Sequence, residues 1–273
     1  MTQIEVIRPG LLTTVQDCGR LGFAHLGVPP SGAADRASYE LGNRLVGNPP
    51  GAAALEATLD GPVLRFDRPT TVALTGATTP EVRTVELLDV GRAVGGVRTY
   101  ICVRGGIDAE PVLGSRSTDL LTGLGPAPLQ VGDVLRVGPE PDVPAEPWSV
   151  LRPVVTDEPV LHVRLGPRDD WFAPSALEAL FSAPWQVSAS SNRVGIRLEG
   201  PPLERARHDE LLSEGLVTGA IQVPASGQPI LLMQDHPTTG GYPVLGVVRS
   251  NDLPVAGQLA PRQRVRFVID GDD

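Results

Sequence analysis

The stretch Leu55–Thr75, LEATLDGPVLRFDRPTTVALT, decides how this chain folds. Three short runs, Leu55 to Leu59, Pro62 to Phe66 and Thr71 to Thr75, are separated by Asp60-Gly61 and Arg68-Pro69. Gly and Pro break any helical period at those two points, and the runs have the length of strands. Working outward, Ile4 to Ile7 alternates into Pro9-Gly10, and Arg98 to Arg104 forms a further strand ending at Gly105-Gly106-Ile107-Asp108. The 31 glycines and 28 prolines of the 273 residues are spread along the chain, which favours many short strands joined by turns. The fold class expected is mostly β with a few short helices.

The clearest helix starts near Ala34. Ala37, Leu41 and Leu45 recur at helical spacing, Ser31 stands near the start, and Gly47-Asn48-Pro49-Pro50 ends it. The polar residues at its amino end would favour a carboxylate or phosphate. A second helix is expected over Pro174 to Phe181, with Pro174 in the first turn and Leu177, Leu180 and Phe181 facing inward. Arg262, Arg264 and Arg266 alternate with Gln263, Val265 and Phe267, the pattern of a strand with one solvated face.

Pro139 to Pro159 is rich in proline and acidic residues without a period and reads as a linker. Beyond it, Leu161 to Gly166-Pro167 echoes Ile4 to Pro9-Gly10, and Glu199-Gly200-Pro201-Pro202-Leu203 echoes Glu56 through Gly61-Pro62-Val63-Leu64. The echoes fall in the same order, so two related β domains are expected, residues 1–150 and 151–273.

Composition excludes several functions. The net charge of -9 offers no field to draw nucleic acid or an anionic membrane. No apolar run approaches membrane-spanning length, the opening Thr2 to Ile7 has no signal-peptide pattern, and Cys18 and Cys102 lack metal-type spacing. A cytoplasmic protein with two buried thiols is expected. All 23 basic residues are arginine. Without lysine the chain can form no Schiff base, carry no biotin and supply neither a P-loop lysine nor a Ser-Lys amidase relay. His25, His162, His208 and His236 are isolated, so no metal site is expected.

The densest run of hydroxyls, carboxylates and glycines lies over residues 213–243. Gly240 and Gly241, fixed between Pro237 and Pro243, imply an ordered loop that presents Thr238, Thr239 and Tyr242, with His236 inside it and Glu214 and Asp235 as the nearest charges. In Gly114-Ser115-Arg116-Ser117-Thr118-Asp119 a planar cation sits among hydroxyls. It suits either an external carboxylate or phosphate, or an internal Arg116 to Asp119 pair. Neither half alone carries enough reactive groups, so loops of both are expected to share a cleft.

The motifs Thr14-Val15-Gln16-Asp17 with Gly19-Arg20-Leu21-Gly22, Gly27-Val28-Pro29 with Ser31-Gly32-Ala33, and Asn43-Arg44-Leu45-Val46-Gly47-Asn48 occur in that order. They are followed by Gly105 to Asp108, Gly114 to Asp119, Asn192 to Gly200, Ser213-Glu214-Gly215, Ile221-Gln222-Val223-Pro224 and Thr238 to Pro243. On these motifs the chain resembles the allophanate hydrolase subunit 2 family, which includes KipA and the C-type component of the ATP-dependent 5-oxoprolinase. The resemblance implies two cyclophilin-like β-barrel domains and a KipI-like subunit 1 partner in a heterotetramer. It also implies a 5-oxoprolinase A-type chain as a further partner, ATP used by the complex, and relatives that act as carboxyltransferases on biotin carried by another protein.

Carried onto this chain, the resemblance suggests Asp35, Glu214 and Asp235 as acid or base groups. Arg116 and Arg193 become anion clamps, and Ser31, Ser117, Gln222, Thr238, Thr239 and Tyr242 become substrate contacts. The leading expectation is a component of a 5-oxoprolinase-type hydrolase complex converting 5-oxoproline to glutamate. The alternatives are a urea carboxylase-type carboxyltransferase and a non-enzymatic KipA-like protein that restrains a kinase inhibitor. Two departures from the family pattern stand out: Thr78 to Val97 is short, and Pro261-Arg262 replaces a usual Pro-Gly turn.

Overall fold

The computed structural model describes residues 2–145 and 156–271. The domain boundary expected at 150/151 and the middle of the expected linker, residues 146–155, lie outside the described residues. Contacts divide the chain into two compact units, Met1–Arg20 with Ser31–Val154, and Leu21–Pro30 with Val155–Asp273. Both are mostly β.

The first unit is a half-barrel. Its strands are β1 (Gln3–Arg8), β2 (Leu12–Gln16), β3 (Ala54–Thr58), β4 (Val63–Gly76), β5 (Glu81–Asp89), β6 (Arg98–Val103) and β7 (Val134–Arg136). They run in the order β2-β3-β6-β4-β1-β7, with β5 added on β4. Two of the expected strands are one. β4 passes through Arg68-Pro69, pairing with β1 in its first half and β6 in its second. The register against β5 shifts between Arg65 and Thr70, so exposed Pro69 sits where no ladder N–H is needed. Residues 78–97, short for the family, still supply the nine residues of β5.

All six residues of β6 are buried, because both faces of the sheet are covered. Leu55, Val72, Leu74, Ile101 and Val103 pack on one side with Ile4, Val6 and Leu64. Ala54, Ala73, Tyr100 and Cys102 pack on the other with Tyr39 and Leu45 of α1 (Arg36–Leu45). The helix lies close to the sheet at Gly42, where an added Cβ would stand 2.6 Å from Cys102 Sγ. Thr75 Oγ1 donates to the Ser38 carbonyl across the same contact at 2.7 Å. Asp35, not Ser31, caps the helix: its carboxylate accepts from Ser38 N at 3.0 Å and from Ser38 Oγ at 2.6 Å. The helix ends as expected at Gly47, whose φ of +72° suits glycine.

The second unit closes. Its barrel strands are β8 (Val160–Leu165), β9 (Trp185–Val187), β10 (Gly195–Glu199), β12 (Ala220–Gln222), β13 (Ile230–Leu232), β15 (Val244–Val248) and β16 (Arg264–Ile269). The order β10-β13-β12-β15-β8-β16-β9 returns to its start through the β9 to β10 pair. A two-residue ribbon, β11 (Glu214–Gly215) with β14 (Thr239–Gly240), stands apart from the barrel. The core gathers Leu161, Trp185, Leu231, Leu245 and Phe267 with Ala176 and Leu180 of α2 (Pro174–Ser182), while Leu177 and Phe181 pack at its margin. A last short helix, α3 (Leu253–Ala256), precedes β16.

Arg262 is not part of a strand with Arg264 and Arg266. It holds a turn at φ +70°, the left-handed region that glycine tolerates and most side chains do not. Arg264 and Arg266 do belong to β16 and line its solvated face as expected, opposite buried Val265 and Phe267, with both guanidinium groups ion-paired to Glu158 at that surface. Arg262 is exposed and its backbone N–H donates to the Val187 carbonyl at 2.7 Å, a bond that survives loss of the side chain. Arg262→Gly is expected to raise stability by about 1 kcal/mol, read as a higher urea midpoint.

Candidate functional site

Three of the motif segments meet in the first unit around one carboxylate. Asp17, buried, accepts from Gly19 N at 2.8 Å, Ser115 Oγ at 2.6 Å, Ser117 Oγ at 2.6 Å and Arg116 N at 2.6 Å. Its own N–H donates to Ser117 Oγ at 3.0 Å, and its carbonyl accepts from Ala33 N at 3.0 Å. The Thr118 carbonyl accepts from Gln16 Nε2 at 3.0 Å and Ser31 Oγ at 2.8 Å. Buried Arg20 donates to the Ser117 and Val112 carbonyls. Ser31 and Gly32 take φ of +52° and +90°, and a Cβ on Gly32 would stand 2.8 Å from Gly19 N. Only glycine permits that approach of the two loops.

A second buried carboxylate fixes the start of α1. Glu56 accepts from Ala34 N at 3.0 Å and Tyr100 Oη at 2.7 Å, with Arg98 Nε at 3.3 Å. Tyr100 Oη in turn accepts from Asp35 N at 2.7 Å. Burial, then the charges of Glu56 and Asp35, push the Tyr100 phenol well up, so it stays a donor to Glu56.

Four candidates lie in this unit. Ser31 and Ser117 are buried with their hydroxyls given to internal acceptors, and Asp35 is the helix cap. The internal pair of Arg116 with Asp119 does not form. Asp119 instead accepts from Leu121 N at 2.9 Å, Thr122 N at 3.3 Å and Thr122 Oγ1, closing its own turn. Arg116, half-buried, donates Nε to the Ala109 carbonyl at 2.8 Å, and its Nη groups make no hydrogen bond or ion pair among the described residues.

The other seven candidates lie in the second unit. The cation expected to clamp an anion holds Asp235: Arg193 Nε and Nη2 reach its two oxygens at 2.9 Å each, with both side chains buried. Glu214 is held by Arg168, whose guanidinium keeps its carboxyl below the usual range and therefore ionised. The ribbon pairs Glu214 with Gly240 and Gly215 with Thr239, while Leu216 N donates to the Thr238 carbonyl at 2.9 Å. Buried Gln222 donates Nε2 to the Tyr242 carbonyl at 3.2 Å. Glu214, Gln222, Thr238, Thr239 and Tyr242 are thus drawn together, and Thr239 and Tyr242 are exposed.

Sequence reasoning missed Asp17, Arg20, Glu56, Tyr100 and Arg168 as organisers. A signal for Glu56 exists, since a carboxylate between Leu55 and Ala57 in an apolar strand needs buried partners. Cys18 is half-buried, contrary to expectation, because it sits in the loop bent around Asp17. Cys102 is buried, and burial pushes its thiol up. Among the described residues no group of three or more His, Cys, Asp or Glu could hold a metal ion, and no helix is long and apolar enough to cross a membrane.

Comparison with known proteins fits this architecture. Residues 26–269 match the carboxyltransferase domain, subdomain A and B. The C-type component of the Escherichia coli 5-oxoprolinase is 37% identical over 97% of this chain and 90% of that protein. The Lachancea kluyveri urea amidolyase is 34% identical over 97% of this chain but only 17% of its own length. The crystal structure of the K. lactis urea amidolyase superposes with a TM-score of 0.91 at 34% identity, covering 98% of this chain and 19% of that one.

The geometry makes two measurable demands. Asp17→Ala leaves several buried donors without an acceptor and is expected to cost about 3 kcal/mol or more, with Asp17→Asn costing less; urea unfolding reads both. His236 is buried, and desolvation outweighs its Pro237 and Asp235 contacts to lower its pKa from 6.5. The unfolded chain therefore takes up a proton first as pH falls through 6.5, and stability falls with it. His236→Gln is expected to flatten that slope in urea titrations run from about pH 7.5 to about 5.5. By sequence match and superposition alike, the chain belongs to the carboxyltransferase-domain family, as a protein built from its A and B subdomains.

Proposed function

We propose that this chain is a component of a cytoplasmic 5-oxoprolinase-type complex that hydrolyses 5-oxoproline to glutamate with consumption of ATP. It would act with a KipI-like chain in a heterotetramer and with a 5-oxoprolinase A-type chain. The observation that carries the reading is the nearly full-length similarity to a 5-oxoprolinase component, 90% of that protein against 17% of a urea amidolyase.

The chemistry agrees with a divided labour. A lactam carbonyl is inert and needs activation before water can open it. This chain has no lysine and no Walker A motif, so it offers no P-loop for ATP phosphates, and activation is assigned to another chain of the complex. What this chain offers is positioning. The Nη end of Arg116 suits a carboxylate, while Thr239 and Tyr242 offer hydroxyls at an exposed ribbon. Ionised Glu214 is the group of base type, and Asp35 and Asp235 act by holding α1 and Arg193.

The test is reconstitution with the KipI-like and A-type chains, measuring glutamate released from 5-oxoproline with and without ATP. Turnover is expected to vanish when this chain is omitted and to fall about tenfold or more with Arg116→Ala. Equal turnover without this chain would contradict the reading. A second reading, carboxyl transfer from biotin on a partner, is favoured by the family match and the urea amidolyase superposition. It requires a biotinylated protein in the purified complex, which a streptavidin blot detects.

A further inference from the structure

A cavity of about 670 Å³ opens within the first unit, lined by none of the eleven candidate residues and reaching the Asp17 cluster only through the loop that carries Cys18. Its volume is that of a small-molecule site, on the order of 300–1,000 Å³. Helix α1 supplies Arg36, Glu40 and Arg44, the turn after the helix supplies Pro49 and Pro50, and Val143 comes from the segment after β7.

The polar groups of the cavity divide sharply. Those nearest the sheet are committed: Asn43 Nδ2 donates to the Ala52 carbonyl at 3.0 Å, and Asn48 Nδ2 donates to Asn43 Oδ1 at 2.8 Å. Asn48 Oδ1 accepts from Gly105 N at 2.8 Å, and Tyr39 Oη donates to the Ala52 carbonyl at 2.8 Å. These side chains form the wall without asking anything of a ligand. Arg36 is paired with Glu40 through Nε at 2.6 Å, leaving Nη2 3.9 Å from Cys18 Sγ. Arg44 is exposed, and its guanidinium makes no hydrogen bond or ion pair among the described residues.

Charge sets the ligand class. Two arginines against one glutamate leave the cavity net positive inside a chain of net charge -9. The proline and valine lining offers apolar surface that an inorganic anion would leave uncovered. An uncharged apolar molecule would leave Arg44 without a partner. We propose that this cavity binds a small organic acid, its carboxylate or sulfonate on Arg44 and its apolar body against Pro49, Pro50 and Val143. The bound molecule would lie against the Cys18 thiol, and so against the loop bent around Asp17.

Two independent readouts test it on the full-length chain. The first is a fluorescence titration with 8-anilinonaphthalene-1-sulfonate, an apolar body bearing one anionic head. The second uses Cys18 as a reporter, since Cys102 is buried with its thiol pushed up and reacts little. The rates of alkylation by iodoacetate and by iodoacetamide are compared by mass spectrometry, the thiolate displacing iodide in both. Binding of the dye is expected to protect Cys18 from iodoacetamide. Arg44→Glu is expected to weaken dye binding about tenfold or more and to lower the iodoacetate to iodoacetamide rate ratio several-fold. Arg44→Gln should do both to a smaller degree, and because residue 44 is exposed in the last turn of α1, Gln should nearly keep the wild-type unfolding midpoint while Glu lowers it only slightly. Absence of dye binding would overturn the proposal. So would binding that leaves Cys18 unprotected, or binding and labelling that Arg44→Glu does not change.

Discussion

The carboxylate of Asp17 is the constraint on which the first unit depends. It accepts from Gly19, Ser115, Arg116 and Ser117, and the last three lie 98 to 100 positions away in sequence. A buried carboxylate is costly unless its lone pairs are filled, and here they are filled by donors that would themselves be costly to bury alone. The arrangement therefore holds only when all its members are present. Through the Thr118 carbonyl and Ala33 N it also fixes the loop that leads into α1, where Glu56 and Tyr100 take over.

The second unit uses the same logic with an ion pair. Arg193 and Asp235, forked together and buried, tie the start of β10 to the loop that carries His236, Thr238 and Thr239. Most of the charged candidates are thus engaged with other groups of this chain. The groups left facing outward, Arg116 Nη, Thr239 and Tyr242, can bind and orient but bring no activated nucleophile.

Much of the fold is legible in the sequence. The strands around Leu55, the helix ending at Gly47 and the mostly β class all follow from short apolar runs and their breakers. β4 does not, because Pro69 reads as a terminator unless its exposed place at a register shift is known. The strain at Arg262 is signalled by its place after Pro261, where glycine is expected. The site is less legible. Its motifs are recognisable as segments, but which carboxylate organises the hydroxyls depends on contacts between residues far apart in sequence. Asp119 stands nearer to Arg116 along the chain, yet the Arg116 N–H goes to Asp17.

Asp17 is proposed to hold the three loops of the first unit as one cooperative cluster. Hydrogen exchange read by mass spectrometry on wild type and Asp17→Ala addresses it directly. Exchange is expected to rise together in residues 16–20, 31–35 and 112–119, while residues 193–199 and 230–248 of the second unit stay unchanged. Faster exchange confined to residues 16–20, with the other two loops still protected, would contradict it.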